Sequence, residues 1–254
     1  LHHRPLRLGN DAMMDSTNQH TVRAYGDELN QITADVARMG GLAEAQIADA
    51  IESVSRRDAE LAQQVIARDA RLDELQREIE RKAIRLIALR QPVATDLRRT
   101  VAAMKIATDL ERTGDLARSV AKRGLSLSDL EPLAPLTRSI ERMGKLVSKR
   151  MKAVLDAYVT SEIAGALDVW SHDDDVDEHY NALFRELLTY MMADPRTITS
   201  CAHLLFMAKN LERIGDHATN IAEMIHYEIT GDELDTARPR QGADDTPVSE
   251  KEPS

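Results

Sequence analysis

Two segments about a hundred residues apart carry nearly the same sequence, and such a duplication obliges the chain to build one structural unit twice. Residues 108–117 read Thr-Asp-Leu-Glu-Arg-Thr-Gly-Asp-Leu-Ala, and residues 209–218 read Lys-Asn-Leu-Glu-Arg-Ile-Gly-Asp-His-Ala. Further pairs keep the same order: Asp73 with Asp177, Pro92 with Pro195, Thr95 with Thr197, Glu111 with Glu212, and Asp115 with Asp216. The offset shrinks slightly between the first of these pairs and the last. The change falls at a connection between elements, where deletions are best tolerated.

The repeated unit reads as helical. Leu29, Ile32, Val36, Met39, Ala43, Ile47, Ala50 and Val54 follow one another by threes and fours, which is a single apolar stripe on a long helix. Aromatic residues make up only 3% of the 254 residues, too few for a sheet protein of this size. The expected first helix covers residues 25–57. A second, capped by Asp58, carries Val65, Leu72, Leu75, Ile79, Ala83 and Leu86 and stops before Pro92. A third runs from Thr95 or Asp96 to Gly124. Residues 125–135, with two prolines, read as a linker. The plan then repeats with helices over 136–159, 161–193 and 197–230. The predicted fold is all-α: two tandem, pseudo-symmetric three-helix bundles over residues 21–125 and 136–230. Residues 1–20 read as a disordered leader, with Met13 or Met14 as a start, and residues 231–254 as a disordered acidic tail.

Charge and cysteine content narrow the function. A net charge of −10 argues against binding nucleic acid non-specifically. The single cysteine, Cys201, excludes an internal disulfide framework and a cysteine-based zinc site, and reads as a small buried apolar residue. No apolar run is long enough to insert into a membrane and no signal peptide opens the chain, so a cytoplasmic location is the expectation. No phosphate-binding glycine loop and no nucleophile motif is present, and no catalytic residue is expected.

What the repeat does carry is carboxylates. Glu111 with Asp115 and Glu212 with Asp216 lie four residues apart, on one side of a helix. The preceding helix of each unit holds a second pair, Asp69 with Asp73 and Asp173 with Asp177. A short turn makes neighbouring helices antiparallel. In the first unit both pairs lie equally far from Pro92, so they are placed to face each other. Four like charges in register call for a cation, and oxygen-only ligands suit Mg²⁺, Mn²⁺, Ca²⁺ or iron. The Glu-x-x-His spacing of di-iron bundles is absent. The competing reading pairs these acids with Arg68, Arg71, Arg112 and Arg213 on a solvated flank. Gly114 and Gly215, each costing a helix about 1 kcal/mol relative to Ala, imply close approach or room for an ion. His172 and His217 read as bystanders, and Met191, Met192 and Met207 as core. Arg138, Arg142, Lys145, Lys149 and Lys152 form a basic stripe opposite the apolar face of the fourth helix.

The doubled Leu-Glu-Arg-x-Gly-Asp, the Asp-x-x-x-Asp pairs upstream and the segment Arg-Gln-Pro-Val-Ala-Thr-Asp-Leu-Arg over residues 90–98 resemble the PhoU family of phosphate-transport accessory proteins, across residues 21–230. The resemblance implies six helices in two bundles, with multinuclear metal clusters on Asp69, Asp73, Glu111 and Asp115 and on Asp173, Asp177, Glu212 and Asp216. It implies a non-enzymatic negative regulator of phosphate uptake and phosphate-regulon signalling. Such a regulator would link the ATPase subunit of the phosphate ABC transporter to a phosphate-sensing histidine kinase, as a homodimer. The replacement of Asp109 by Asn210 suggests two clusters of unequal charge. The alternatives are a metal-dependent hydrolase using the same carboxylates and a plain helical scaffold without ions.

Overall fold

The computed structural model of the chain describes the backbone of residues 10–234 and the side chains of residues 25–234. Residues 1–9 of the expected leader and 235–254 of the expected tail lie outside the described residues. Among the described residues there are no strands. The helices are α1 (Asn10–Arg56), α2 (Ala59–Arg90), α3 (Ala94–Leu127), α4 (Ala134–Thr160), α5 (Ile163–Ser171), α6 (Asp174–Ala193) and α7 (Ile198–Thr230), with a 3-10 turn at Pro195–Thr197 before α7. The first helix thus begins at Asn10, inside the stretch read as a leader.

Local chemistry sets most of the boundaries. Asp58 accepts a hydrogen bond from the Leu61 N–H at 2.9 Å, satisfying a donor that the first turn of α2 leaves open. Gln91 ends α2 in the left-handed region and Pro92 prevents continuation. Gly231 closes α7 at φ 86°, with its N–H donating to the Tyr227 carbonyl. The linker after α3 is held by Arg57, whose guanidinium donates to the carbonyls of Leu127, Ser128 and Leu130.

The expected single helix over 161–193 is instead two, α5 and α6, separated at His172 and Asp173. Arg150 of α4 supplies the reason. It is buried, and its guanidinium donates to the carbonyls of Val169 (2.8 Å) and His172 at the end of α5. Those carbonyls therefore need no further helical turn. Three aspartates, Asp174, Asp175 and Asp177, then open α6, where negative charge complements the helix dipole.

All eight stripe residues of α1 are buried, as are Ile140, Met143, Val147, Met151 and Val154 of α4, and Cys201. Met207 is also buried, but Met192 is 79% exposed and lies outside the core. Helix α2 packs into the groove between α1 and α3, and α5 and α6 pack on α4 and α7. The two units meet along α3 against α7 and α1 against α4, and one hydrophobic core runs through both. Asp69 and Asp73 on α2, and Asp173 and Asp177 at the start of α6, therefore belong to outer helices and face pairs carried by α3 and α7, which join the units.

Candidate metal centre

The first cluster lies between α2 and α3, beneath α1. Asp69 is 2% exposed, a position an ionised carboxylate occupies only with partners. Gln46 of α1 donates Nε2–H to Asp69 Oδ1 at 3.1 Å and to the Gly114 carbonyl at 3.1 Å. Arg118 of α3 donates to Asp69 Oδ2 and pairs with Asp115 Oδ1 at 2.7 Å. Asp73 and Glu111 make no hydrogen bond or ion pair with any described residue. Burial raises the pKa of Asp69; Arg118 opposes this, and repulsion from Asp115 and Asp73 reinforces it. Glu111 is raised by burial and then by the negative charges of Asp115, Asp73 and Asp69. All four carboxylates thus act on one another, as the antiparallel packing requires.

The second cluster, between the α5–α6 junction and α7, is more open. Thr219 Oγ1–H donates to Asp173 Oδ1 at 2.6 Å, and Arg150 lies 3.5 Å from the same oxygen. Lys209 pairs with Glu212 Oε1 at 2.6 Å and stands 5.3 Å from the centre of the Tyr180 ring. The other oxygen of Glu212, Oε2, is buried without a hydrogen-bond partner. Burial raises the pKa of Asp177, followed by repulsion from Glu212, Asp173 and Asp174. Asp216 is pushed up to about 6 by partial burial and then by Glu212, Asp173 and Asp177, although its side chain still reaches solvent at the rim.

Among the described residues, no three His, Cys, Asp or Glu side chains are already drawn onto one point as a metal-ligand set. Arg118 and Lys209 stand among the carboxylates instead. The donor chemistry nevertheless fits a hard cation. Every acidic donor is oxygen, the carboxylates hold excess negative charge against one another, and the orphaned Oε2 of Glu212 lacks the compensation that burial demands.

The partners differ from those the sequence suggested. Arg68 pairs with Asp49 and Arg71 with Glu74, both away from the clusters. Gln46, Arg118, Arg150, Lys209 and Thr219 were the residues sequence reasoning missed. A signal for them exists in the repeat itself. Gln46 and Arg150 share the register that relates Asp69 to Asp173, and Arg118 and Thr219 the register that relates Asp115 to Asp216. The guanidinium that reaches the leading aspartate thus comes from α3 in one unit and from α4, the counterpart of α1, in the other. His217 is also more than a bystander. Its Nδ1 lies 2.9 Å from Asp109 Oδ1 on α3, and Asn220 Nδ2–H donates to the same oxygen at 3.4 Å, tying the two units beside the clusters. The two glycines are not equivalent. A methyl group at Gly114 would overlap Leu72 Cδ1, whereas one at Gly215 would make ordinary 3.4 Å contacts with Val176.

The PhoU domain family matches residues 36–124 and 140–225, one copy per unit. The chain belongs to the PhoU family. It is 65% identical over 222 residues to the phosphate-specific transport system accessory protein PhoU homolog of Caulobacter vibrioides, a match covering 87% of this chain and 96% of that protein. The homolog from Rhizobium meliloti is 46% identical, over 88% of this chain and 94% of its own length. Among solved PhoU structures, that from Pseudomonas aeruginosa superposes with a TM-score of 0.80 at 38% identity, covering 82% of this chain and all of the other. The phosphate transport system regulatory protein PhoU from Streptococcus pneumoniae gives 0.77 at 28% identity, with 83% and 99% coverage. These PhoU structures share the all-helical architecture described above.

Proposed function

We propose that this PhoU-family chain is a regulatory accessory protein of a phosphate transport system, not an enzyme. The observation that carries this reading is the 65% identity across 96% of a relative named as a phosphate-specific transport accessory protein. In this role the chain restrains phosphate uptake and phosphate-regulon signalling when phosphate is plentiful. As a cytoplasmic homodimer, it connects the ATPase subunit of the phosphate ABC transporter with the sensor histidine kinase. No described helix is long and apolar enough to cross a membrane.

The clusters enter as cation sites. Asp69, Asp73, Glu111 and Asp115 would hold ions in the first unit, and Asp173, Asp177, Glu212 and Asp216 in the second. The orphaned Glu212 Oε2 and the mutual repulsion of the acids support this. When bound, a divalent or trivalent ion such as Mg²⁺, Mn²⁺, Ca²⁺ or iron neutralises that repulsion and fastens α2 to α3 and α6 to α7. The residues themselves orient the donors: Gln46 fixes Asp69, and Thr219 fixes Asp173.

Deleting the gene and measuring phosphate-regulon expression in rich phosphate tests the regulatory reading. Constitutive expression, reversed by the unsubstituted gene, is the expected result; normal repression in the deletion strain would refute it. Co-purification of the ATPase subunit or the kinase in replete medium tests the adaptor role.

A further inference from the structure

The two clusters keep their own positive charges in opposite ways. In the first, Arg118 is 32% exposed, and its guanidinium pairs with two carboxylates of the cluster, Asp69 and Asp115. Nothing else described holds it there. In the second, Arg150 is 7% exposed and is bound to the Val169 and His172 carbonyls and to the Thr219 hydroxyl as well as facing Asp173. Were Arg150 to leave, the Val169 and His172 carbonyls at the α5–α6 junction would lose its guanidinium, leaving His172 with the long 3.4 Å bond from the Asp175 N–H, so it is part of the scaffold. The charge free to move in the second cluster is Lys209, 49% exposed, ion-paired with Glu212 alone and lying over the Tyr180 ring.

We propose that Arg118 is a resident counter-ion of the first cluster that an incoming metal must displace, whereas Arg150 is a permanent charge of the second, so that the two clusters bind cations with different affinities. This rests on reading the clusters as cation sites. With Arg118 withdrawn, the first cluster offers four carboxylates and no fixed cation. The second, with Lys209 withdrawn, still carries the guanidinium of Arg150 beside Asp173. Arg118 therefore acts as a built-in competitor that sets the cation concentration at which the first cluster loads, and Asp69 and Asp115 are the ligands it masks. The swap of arginine between α3 and α4 makes this regulation specific to one half of a nearly symmetric protein.

The test is Mn²⁺ binding, by calorimetry, to the full chain carrying Glu212→Gln and Asp216→Asn, which disables the second cluster. Adding Arg118→Gln is expected to lower the first-cluster Kd roughly tenfold, the scale of losing one competing ion pair near a protein surface. Arg118→Lys, which keeps the charge, is expected to stay close to the parent. A merely structural role would lower Tm with and without Mn²⁺ alike; competition lowers it only in the ion-free protein. The unsubstituted chain supplies an independent readout. On adding diamagnetic Mg²⁺, the Arg118 side-chain NMR signals are expected to shift to those of a free guanidinium, while those of Arg150 stay in place. Mn²⁺ binding that Arg118→Gln leaves unchanged or weakens, or an Arg118 signal indifferent to Mg²⁺ that does bind, overturns this inference alone. Failure of the unsubstituted chain to bind either ion overturns the cation-site reading together with it.

Discussion

Replacing Gly114 and Gly215 separately by alanine asks whether the two halves are packed alike at their clusters. Both glycines lie inside helices, so each substitution recovers about 1 kcal/mol of helix propensity. At Gly215 the new methyl group meets Val176 at 3.4 Å, an ordinary contact, and nothing offsets the gain. At Gly114 it falls on Leu72 Cδ1, the tip of a side chain that is itself 1% exposed and must shift within the core. The same methyl lies 3.4 Å from Asp69 Oδ1 and 3.6 Å from Gln46 Nε2, over the hydrogen bond between them. Overpacking of this kind costs about 1–3 kcal/mol, which leaves Gly114→Ala destabilised by roughly 1 kcal/mol. Gly215→Ala is expected to be more stable than the parent by about 1 kcal/mol. The variants should thus part by about 2 kcal/mol, or roughly 4–8 °C in Tm for a chain of this size. Thermal and urea unfolding in the presence of a chelator, which removes any ion contribution, measures the difference. Equal shifts in the same direction would refute the argument, because they would mean that α2 and α6 stand off their partner helices by the same distance.

Three further outcomes follow from the same geometry. Asp216, with its folded pKa raised to about 6, favours the folded state below the ordinary carboxylate range, and that contribution is lost as pH rises through 6. After screening by solvent, Asp216→Asn should remove about 1 kcal/mol of the ion-free protein's decline between pH 4 and 7, read from urea midpoints; an unchanged pH profile would contradict it. Arg150→Ala removes the guanidinium donor from the Val169 and His172 carbonyls and is expected to cost about 3 kcal/mol, with amide exchange accelerated selectively across α5 and the start of α6. Excess Mn²⁺ should raise stability by about 2.7 kcal/mol for each cluster at a hundredfold over its Kd, and a chain with Glu111→Gln and Glu212→Gln together should lose most of that increment in a thermal-shift titration.

The periodic and repeated parts of this protein were legible from its sequence because they are local. The α1 and α4 core stripes, the Asp58 cap, the stop at Pro92 and the pairing of like acids four residues apart each depend on residues within a few turns of one another. The interruption between α5 and α6 was not legible from periodicity, since no proline or glycine marks it. The run Asp173-Asp174-Asp175 is a helix-start signal, but it decides the matter only once Arg150 arrives to hold the carbonyls before it. Gln46 and Arg118 read in sequence as ordinary polar positions. They become part of the first cluster because α1 and α3 bring them against Asp69 from 23 and 49 residues away.

The sequence by itself therefore determined a duplicated helical chain and the acids that each copy carries, because both are written in short-range spacing. Only the tertiary structure decided that the copies share one core, that α2 closes tightly on Gly114 while α6 stands off Gly215, and that opposite helices supply the arginine at each cluster. Those outcomes depend on which side chains meet across helices, and the spacing along one helix carries no information about what the next helix brings.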